Sequence, residues 1–312
     1  MRVLVTGGAG FIGAHVVRLL QRSGHEVAVM DNLCTGRRER IPPGVPFYLL
    51  DLASSSLEEL FRCEQPEVVV HLAAQTVAPL SLVRPVADAE ANVLGTIRLL
   101  EASVRAGVQR IVYTSSAAVY GDPLYLPVDE EHPICPLSPY GASKYAAEVY
   151  LFTYRRLYGI TPVVLRLANV YGPGQGEEGE GGVVAVFCRK MVAEEPPEIY
   201  GDGEQTRDFI YVEDVAEAIL AALTAGEGEV LNIGTGEGVS VNLLWEILSR
   251  VGGRKLAPVY RPPRPGDIRH SVLNPLKARE KLGWSPRRSL EEGLKTTWDW
   301  WLKYSRGEGG EL

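Results

Sequence analysis

The first part of the chain alternates short, wholly apolar runs with longer stretches whose apolar residues recur every three or four positions. Arg2–Thr6 ("RVLVT"), Glu26–Asp31 ("EVAVMD"), Phe47–Leu50, Val68–His71 ("VVVH"), Arg110–Ser115 ("RIVYTS") and Thr161–Leu167 ("TPVVLRL") are of the first kind. They are short and mostly rich in β-branched residues, and are read as strands. Phe11–Leu20, Asp88–Ala106 and Ser138–Tyr158 are of the second kind and are read as helices. Strands with no polar face need cover on both sides, which predicts an α/β fold with a doubly wound parallel sheet. After about Tyr171 the alternation fails, and Gly, Pro and charge become frequent, as in "GPGQGEEGEGG" and "RPPRPGD". The expected division is a first domain over residues 1–170, with a later return of the chain near 208–235, and a smaller, mixed C-terminal lobe over residues 171–312.

Three glycines, Gly7, Gly10 and Gly13, fall between the first strand and the first helix. Glycine weakens either element, so the spacing needs a reason. One glycine lets the chain reverse, a second lets bare backbone approach a pyrophosphate, and a third lets the helix pack on the sheet with the phosphates at its N-terminus. The spacing is G-x-x-G-x-x-G rather than G-x-G-x-x-G. A carboxylate, Asp31, ends the second strand, where it would accept hydrogen bonds from a ribose diol and repel a 2′-phosphate. The pair predicts a Rossmann-type domain that binds NAD in preference to NADP, although Arg37 and Arg38 lie close by. Asp51, after the third strand, is placed either at an adenine edge or in a solvated loop.

Composition narrows the classes. The chain has 312 residues and a net charge of −7, which argues against a nucleic-acid surface. No apolar run is long enough to span a membrane, and the first residues read as a strand, not a signal segment. Cys34, Cys63, Cys135 and Cys188 are scattered, which fits free thiols in a reducing cytoplasm. His71, His132 and His270 have no partner at metal-ligand spacing, so no metal site is expected. Trp284, Trp298, Trp300 and Trp301 are read as core.

Tyr140 and Lys144 in "SPYGASKYAAE" are four residues apart on a predicted helix and share a face. The helix follows the strand that ends in Ser115 and Ser116, in "TSSAAVYG". A tyrosine can act as a base only if its proton is made easier to lose, and a neighbouring ammonium together with a cationic nicotinamide would do so. A serine hydroxyl beside it would orient a substrate hydroxyl and share its proton.

"TGGAGFIG", "DNLCTG", "HLAAQ", "TSSAAVYG", "SPYGASK", "RLANVYGP" and "RDFIYVEDVA" occur in that order over nearly the whole chain. Together they resemble the extended short-chain dehydrogenase/reductases, and most closely the UDP-glucose (UDP-galactose) 4-epimerases. The resemblance implies Ser116, Tyr140 and Lys144 as the catalytic triad. It implies NAD contacts from Gly7, Gly10, Phe11, Ile12, Gly13, Asp31, Asn32, Asp51, Leu52, Leu72, Ala73, Ala74, Gln75, Asn92 and Ser115, besides Tyr140 and Lys144. It implies a UDP-sugar held by Ser116, Asn169, Arg207 and Arg264, with Asp267 on the uridine ribose. It also implies a homodimer, formed by a four-helix bundle of the helices over 88–106 and 138–158 from each subunit.

Related dehydratases carry an Asp-Glu pair after the catalytic Ser or Thr, and decarboxylases a nearby Glu. Here Ala117 and Ala118 stand there and cannot move a proton. That favours C4 oxidation, rotation of the keto sugar and re-reduction. UDP-glucuronate decarboxylation or epimerisation, dTDP-sugar dehydration, net oxidation and a non-catalytic NAD-binding regulator are the alternatives. In epimerases confined to plain hexoses a tyrosine usually crowds the sugar's position 2; here Ser271 occupies its place, which leaves room for an N-acetyl group.

Overall fold

The computed structural model of the chain describes residues 1–53, 56–176, 182–263 and 268–307. Six strands lie where the apolar runs place them: β1 (Arg2–Thr6), β2 (Glu26–Asp31), β3 (Phe47–Leu49), β4 (Val68–His71), β5 (Arg110–Ser116) and β6 (Thr161–Leu167). With β11 (Val230–Ile233) they form one sheet in the order β11-β6-β5-β4-β1-β2-β3, every pair parallel. The chain runs outward from β1 to β3 and then returns to place β4 on the other side of β1. That reversal opens a crevice at the carboxyl ends of β1 and β4, the usual ligand position in such sheets.

Side chains of each strand alternate between two cores. Val3, Val5, Val29, Val68 and Val70 face α1 (Phe11–Arg22) and α8 (Val212–Ala222). Leu4, Met30, Val69 and Ile111 face α2 (Leu57–Glu64), α5 (Gly95–Ala106) and α6 (Pro139–Tyr158). Thus α8 and β11 return from the later part of the chain to complete the sheet and its cover. Trp284 joins the same core, its Nε1 donating to Asp214 O at 2.9 Å.

The stretch expected as one helix over 88–106 is broken. It begins earlier, as α3 (Ala78–Val83) and α4 (Pro85–Ala89), then widens into a π turn at Glu90–Leu94 before α5. Pro85 has no N–H to continue α3 and instead starts α4. At Gly95 a Cβ would come within 2.9 Å of the Leu52 side chain, so the bare backbone lets α5 seat.

Beyond β6, short strands replace the regular alternation. β7 (Asn169–Tyr171) pairs with β10 (Phe209–Tyr211); β8 (Glu198–Tyr200) pairs with β13 (Val259–Arg261). β9 (Thr206–Arg207) lies between β12 (Val239–Ser240) and β14 (His270–Ser271). α7 (Val183–Val192), α9 (Val241–Gly252) and α11 (Leu290–Ser305) enclose a third core that buries Trp245, Trp298, Trp300 and Trp301; α10 (Leu276–Leu282) packs near β11. Hydrogen bonds tie the two parts: His15 Nε2 to Pro173 O at 2.9 Å, Arg40 to Gly174 O at 3.0 Å, and Arg37 to Tyr304 Oη at 3.0 Å.

The outer face of α6 exposes Tyr145, Val149 and Leu157, and the α3–α4 corner exposes Leu82, Val83 and Val86. The outer face of α5 is polar instead, with exposed Arg98 and with Arg105 paired to Glu58 and Glu101. No described helix is long and apolar enough to cross a membrane. All four cysteines are free, with only Cys188 buried.

Candidate active site

A cleft of about 840 Å³ follows the crevice across the ends of β1, β2, β4, β5 and β6. Its wall includes Gly7, Gly10, Phe11, Ile12, Gly13, Asp31, Asn32, Asp51 and Leu52 at one end, then Leu72–Gln75, then Ser115, Ser116, Tyr140, Lys144 and Asn169. Of the expected cofactor residues, Asn92 alone is off the wall, buried behind it.

The glycines have separable reasons. Gly7 has φ +71°, and a Cβ there would lie 2.6 Å from the amide of Ala73. At Gly13 a Cβ would lie 2.1 Å from Gly7 O, so glycine lets α1 press on the turn before it. Gly10 is the N-cap of α1 and brings no side chain over the first-turn amides, which leaves that helix end open to an anion. Asp31 is already anchored: Oδ2 accepts from Ala9 N at 2.9 Å and Oδ1 from Leu33 N at 2.8 Å. Asn32 Nδ2 donates to Asp51 Oδ2 at 2.7 Å, which orders this end of the wall.

At the other end, the start of α6 is set by three local features. Ser138 caps it, its Oγ accepting from Gly141 N at 3.2 Å, and Pro139 opens the first turn. At Gly141 a Cβ would lie 2.5 Å from Ala118 O, so only glycine lets the helix approach the 117–119 turn this closely. That approach brings the Tyr140 phenol into hydrogen bonding with Ser116. Ser116 Oγ also accepts from Ala118 N at 3.2 Å. One turn on, Lys144 Nζ sits 4.7 Å from the centre of the Tyr113 ring.

Burial dominates the electrostatics. It raises the proton affinity of Tyr140 above the ordinary phenol value, and the Ser116 hydrogen bond only partly opposes it. Asp88 adds to the same upward direction. Burial lowers Lys144 to about 8, against the upward pull of Glu148 and Asp88. His71 is pushed down to about 3 by burial and by Lys144; it is neutral, between Thr6 Oγ1 at 2.8 Å and Thr96 Oγ1 at 3.1 Å.

Two carboxylates behind the wall were not singled out from the sequence. Glu148 pairs with Arg166 at 2.6 Å, both nearly fully buried, and accepts from Ser115 Oγ at 2.5 Å. Asp88 accepts from Gln75 Nε2 at 2.7 Å and from Asn92 Nδ2 at 3.3 Å. Each stands four residues from a residue that was singled out, Lys144 and Asn92, and helical spacing is the signal that would have found them.

The sugar-nucleotide residues are only partly gathered. Ser116 and Asn169 are on the wall. Arg207 and Ser271 face each other across β9 and β14, off that wall, with Arg207 bonded to Thr206 O at 2.9 Å. Arg264 and Asp267 lie outside the described residues.

A profile of the NAD-dependent epimerase/dehydratase family matches residues 3–234. The chain belongs to that family. It is 45% identical to a UDP-glucose 4-epimerase of Thermotoga maritima solved with UDP-glucose, with a TM-score of 0.96 over 98% of this chain and 100% of that one. It is also 45% identical to the Thermus thermophilus UDP-glucose 4-epimerase solved with NAD, with a TM-score of 0.93 over 97% and 99%. It is 34% identical to a UDP-N-acetylglucosamine 4-epimerase of Methanobrevibacter ruminantium, with a TM-score of 0.93 over 97% and 98%. The chain is a nucleotide-sugar epimerase of the extended short-chain dehydrogenase/reductase type, and its cofactor is NAD. The cleft fits that dinucleotide: Gly10 leaves room at the helix N-terminus, and Asp31 stands where a diol would be held.

The buried ammonium has a measurable cost to this epimerase. A lysine whose folded value is depressed to about 8 binds its proton less tightly than in the unfolded chain, so its contribution to stability rises with pH between about 8 and the unfolded value. At pH 7 the penalty is on the order of 3 kcal/mol. Lys144→Met is expected to raise the denaturant midpoint at pH 7 while abolishing turnover. An unchanged or lower midpoint contradicts this account of Lys144.

Proposed function

We propose that this epimerase interconverts UDP-glucose and UDP-galactose. The observation that carries the reading is the acid content of the catalytic end. Among the described residues, the cleft wall carries carboxylates only at Asp31 and Asp51, both at the far end, while Ala117 and Ala118 follow Ser116. Elimination or decarboxylation needs a further proton-moving group there; epimerisation does not.

In this reading the ionised Tyr140 accepts the C4 hydroxyl proton, and Ser116 holds that oxygen and shares the proton. NAD, when bound along Gly7–Gly13 and Asp31, would supply the hydride acceptor and donor for C4, and its positive nicotinamide would favour the phenolate that burial resists. Lys144, one turn further along α6, brings its charge to the same end of the cleft. The 4-keto sugar turns over before the hydride returns to its other face, and Tyr140 restores the proton. Asn169, on the wall, is assigned to the diphosphate, with Arg207, Arg264 and Asp267 assigned to the UDP half. The first domain, 1–170 with the return near 208–235, serves NAD, and 171–312 serves mainly the sugar nucleotide.

A second substrate pair follows from Ser271. It lies in β14 directly across from Arg207, and its small side chain suits an N-acetyl group at sugar position 2. The solved UDP-N-acetylglucosamine epimerase of the same fold supports this extension.

A homodimer also fits, through the apolar stripe of α6 and the α3–α4 corner. The expected four-helix bundle would also take in α5, whose outer face is polar.

Incubation with UDP-galactose should give a mixture of the two C4 epimers by chromatography, with no build-up of NADH absorbance. Stoichiometric NADH, or loss of carbon dioxide or water from the sugar, contradicts the reading. UDP-N-acetylgalactosamine should also be turned over, and Ser271→Tyr should lose that activity while keeping the plain hexose reaction. Sedimentation should show a dimer that Val149→Asp with Leu157→Asp converts to monomer; a monomeric parent protein refutes the assembly.

A further inference from the structure

Asp88 is 1% exposed, sits on α4 behind the cleft wall, and is used by none of the steps above. Its Oδ1 receives Gln75 Nε2 and shares Asn92 Nδ2. Its Oδ2 is buried with no hydrogen-bond partner among the described residues. A buried carboxylate with a bare oxygen is costly and is kept only where something else requires it. Its hydrogen bonds lead to the reacting end. Asn92 Nδ2 donates to Gln75 O at 3.0 Å and to Ser143 Oγ at 3.0 Å, and Asn92 Oδ1 accepts from Gln75 N at 2.8 Å. Ser143 Oγ donates to Tyr140 O at 3.0 Å. From the neighbouring α3, Ser81 Oγ accepts from Tyr140 N at 3.1 Å. The π turn at Glu90–Leu94 places Asn92 at the centre of this chain of bonds.

We propose that Asp88 is a positioning residue for the Tyr140–Lys144 pair: its buried carboxylate fixes Gln75 and Asn92, and through Ser143 it holds the first turn of α6 at Tyr140. The inference rests on the epimerase reading for its kinetic readout. The same carboxylate is a negative charge facing the pair, and it favours the protonated form of both Tyr140 and Lys144. The other groups around the pair are the neutral His71 on β4, Tyr113 on β5, and Glu148 on α6, which also pulls Lys144 upward and is paired with Arg166 on β6. Asp88 is thus the negative charge near the pair that no basic side chain contacts directly among the described residues.

Asp88→Asn keeps an acceptor for Gln75 and Asn92 but removes the charge. Asp88→Ala removes both. The alanine variant should lower kcat roughly tenfold or more with KM within about twofold, because the sugar nucleotide does not touch Asp88. The asparagine variant should recover much of kcat. Both limbs of its pH profile should move to lower pH by about half a unit or more, since Tyr140 then loses its proton more readily and so does Lys144. Superimposable pH profiles for Asp88→Asn and the parent protein overturn the proposal, as does an alanine variant altered in KM alone. If Asp88→Ala does not fold, Asp88→Asn decides. A substrate-free readout separates this from the epimerase reading. The phenolate band in ultraviolet difference spectra, with Tyr140→Phe in each background as the blank, should appear at lower pH in Asp88→Asn. A parent protein that epimerises no sugar nucleotide refutes the functional reading alone, and the difference titration still decides Asp88.

Discussion

Lys144 carries its ammonium into a site where 3% of its surface remains exposed, and burial holds it near 8. An isolated charge in such a place would simply give up its proton. It stays largely protonated at neutral pH because Glu148 and Asp88 lie close and the Tyr113 ring lies beneath it. Each support brings its own requirement. Glu148 needs Arg166, whose Nη1 reaches the Tyr120 hydroxyl at 2.9 Å; that hydroxyl in turn donates to Asn232 on β11 at 2.7 Å. Asp88 needs Gln75 and Asn92, and so shapes the π turn. Lys144 is in this way tied to β5, β6, β11, α4 and α6 together.

The same tie explains why the later part of the chain returns to the sheet. β11 closes the network at Asn232, and α8 covers the face opposite α6. The cleft wall at Ser115, Tyr140 and Lys144 is therefore backed by one buried framework. Burial and the Asp88 charge both raise the proton affinity of Tyr140, and the Ser116 hydrogen bond opposes them only in part.

Much of the first domain was legible in the sequence because its strands are unbroken apolar runs, and such runs admit few alternatives. Val68–His71 and Thr161–Leu167 end where the pattern ends. The helix over 88–106 was misread at its start, since Pro85 and the π turn respond to Leu52 and Asn92, contacts that periodicity does not carry. Ser116, Tyr140 and Lys144 were legible as a motif, and the structure brings them to one wall. Gly141 was passed over because its necessity lies in Ala118 O, twenty-odd residues away in the chain. Glu148 and Asp88 were missed because a lone carboxylate on a helix reads as a solvated face until burial is known. In the later part of the chain short strands replace regular elements, and the placement of Arg207 against Ser271 depends on a two-residue pairing that no pattern announces.

The central claim is that the hydride taken from C4 returns to the same sugar without meeting solvent. UDP-galactose carrying deuterium at C4, converted by the protein in ordinary water and read by mass spectrometry, tests it directly. The account predicts that the epimerised product keeps its deuterium in full. Loss of deuterium to solvent, or its accumulation in a released reduced cofactor, would contradict it.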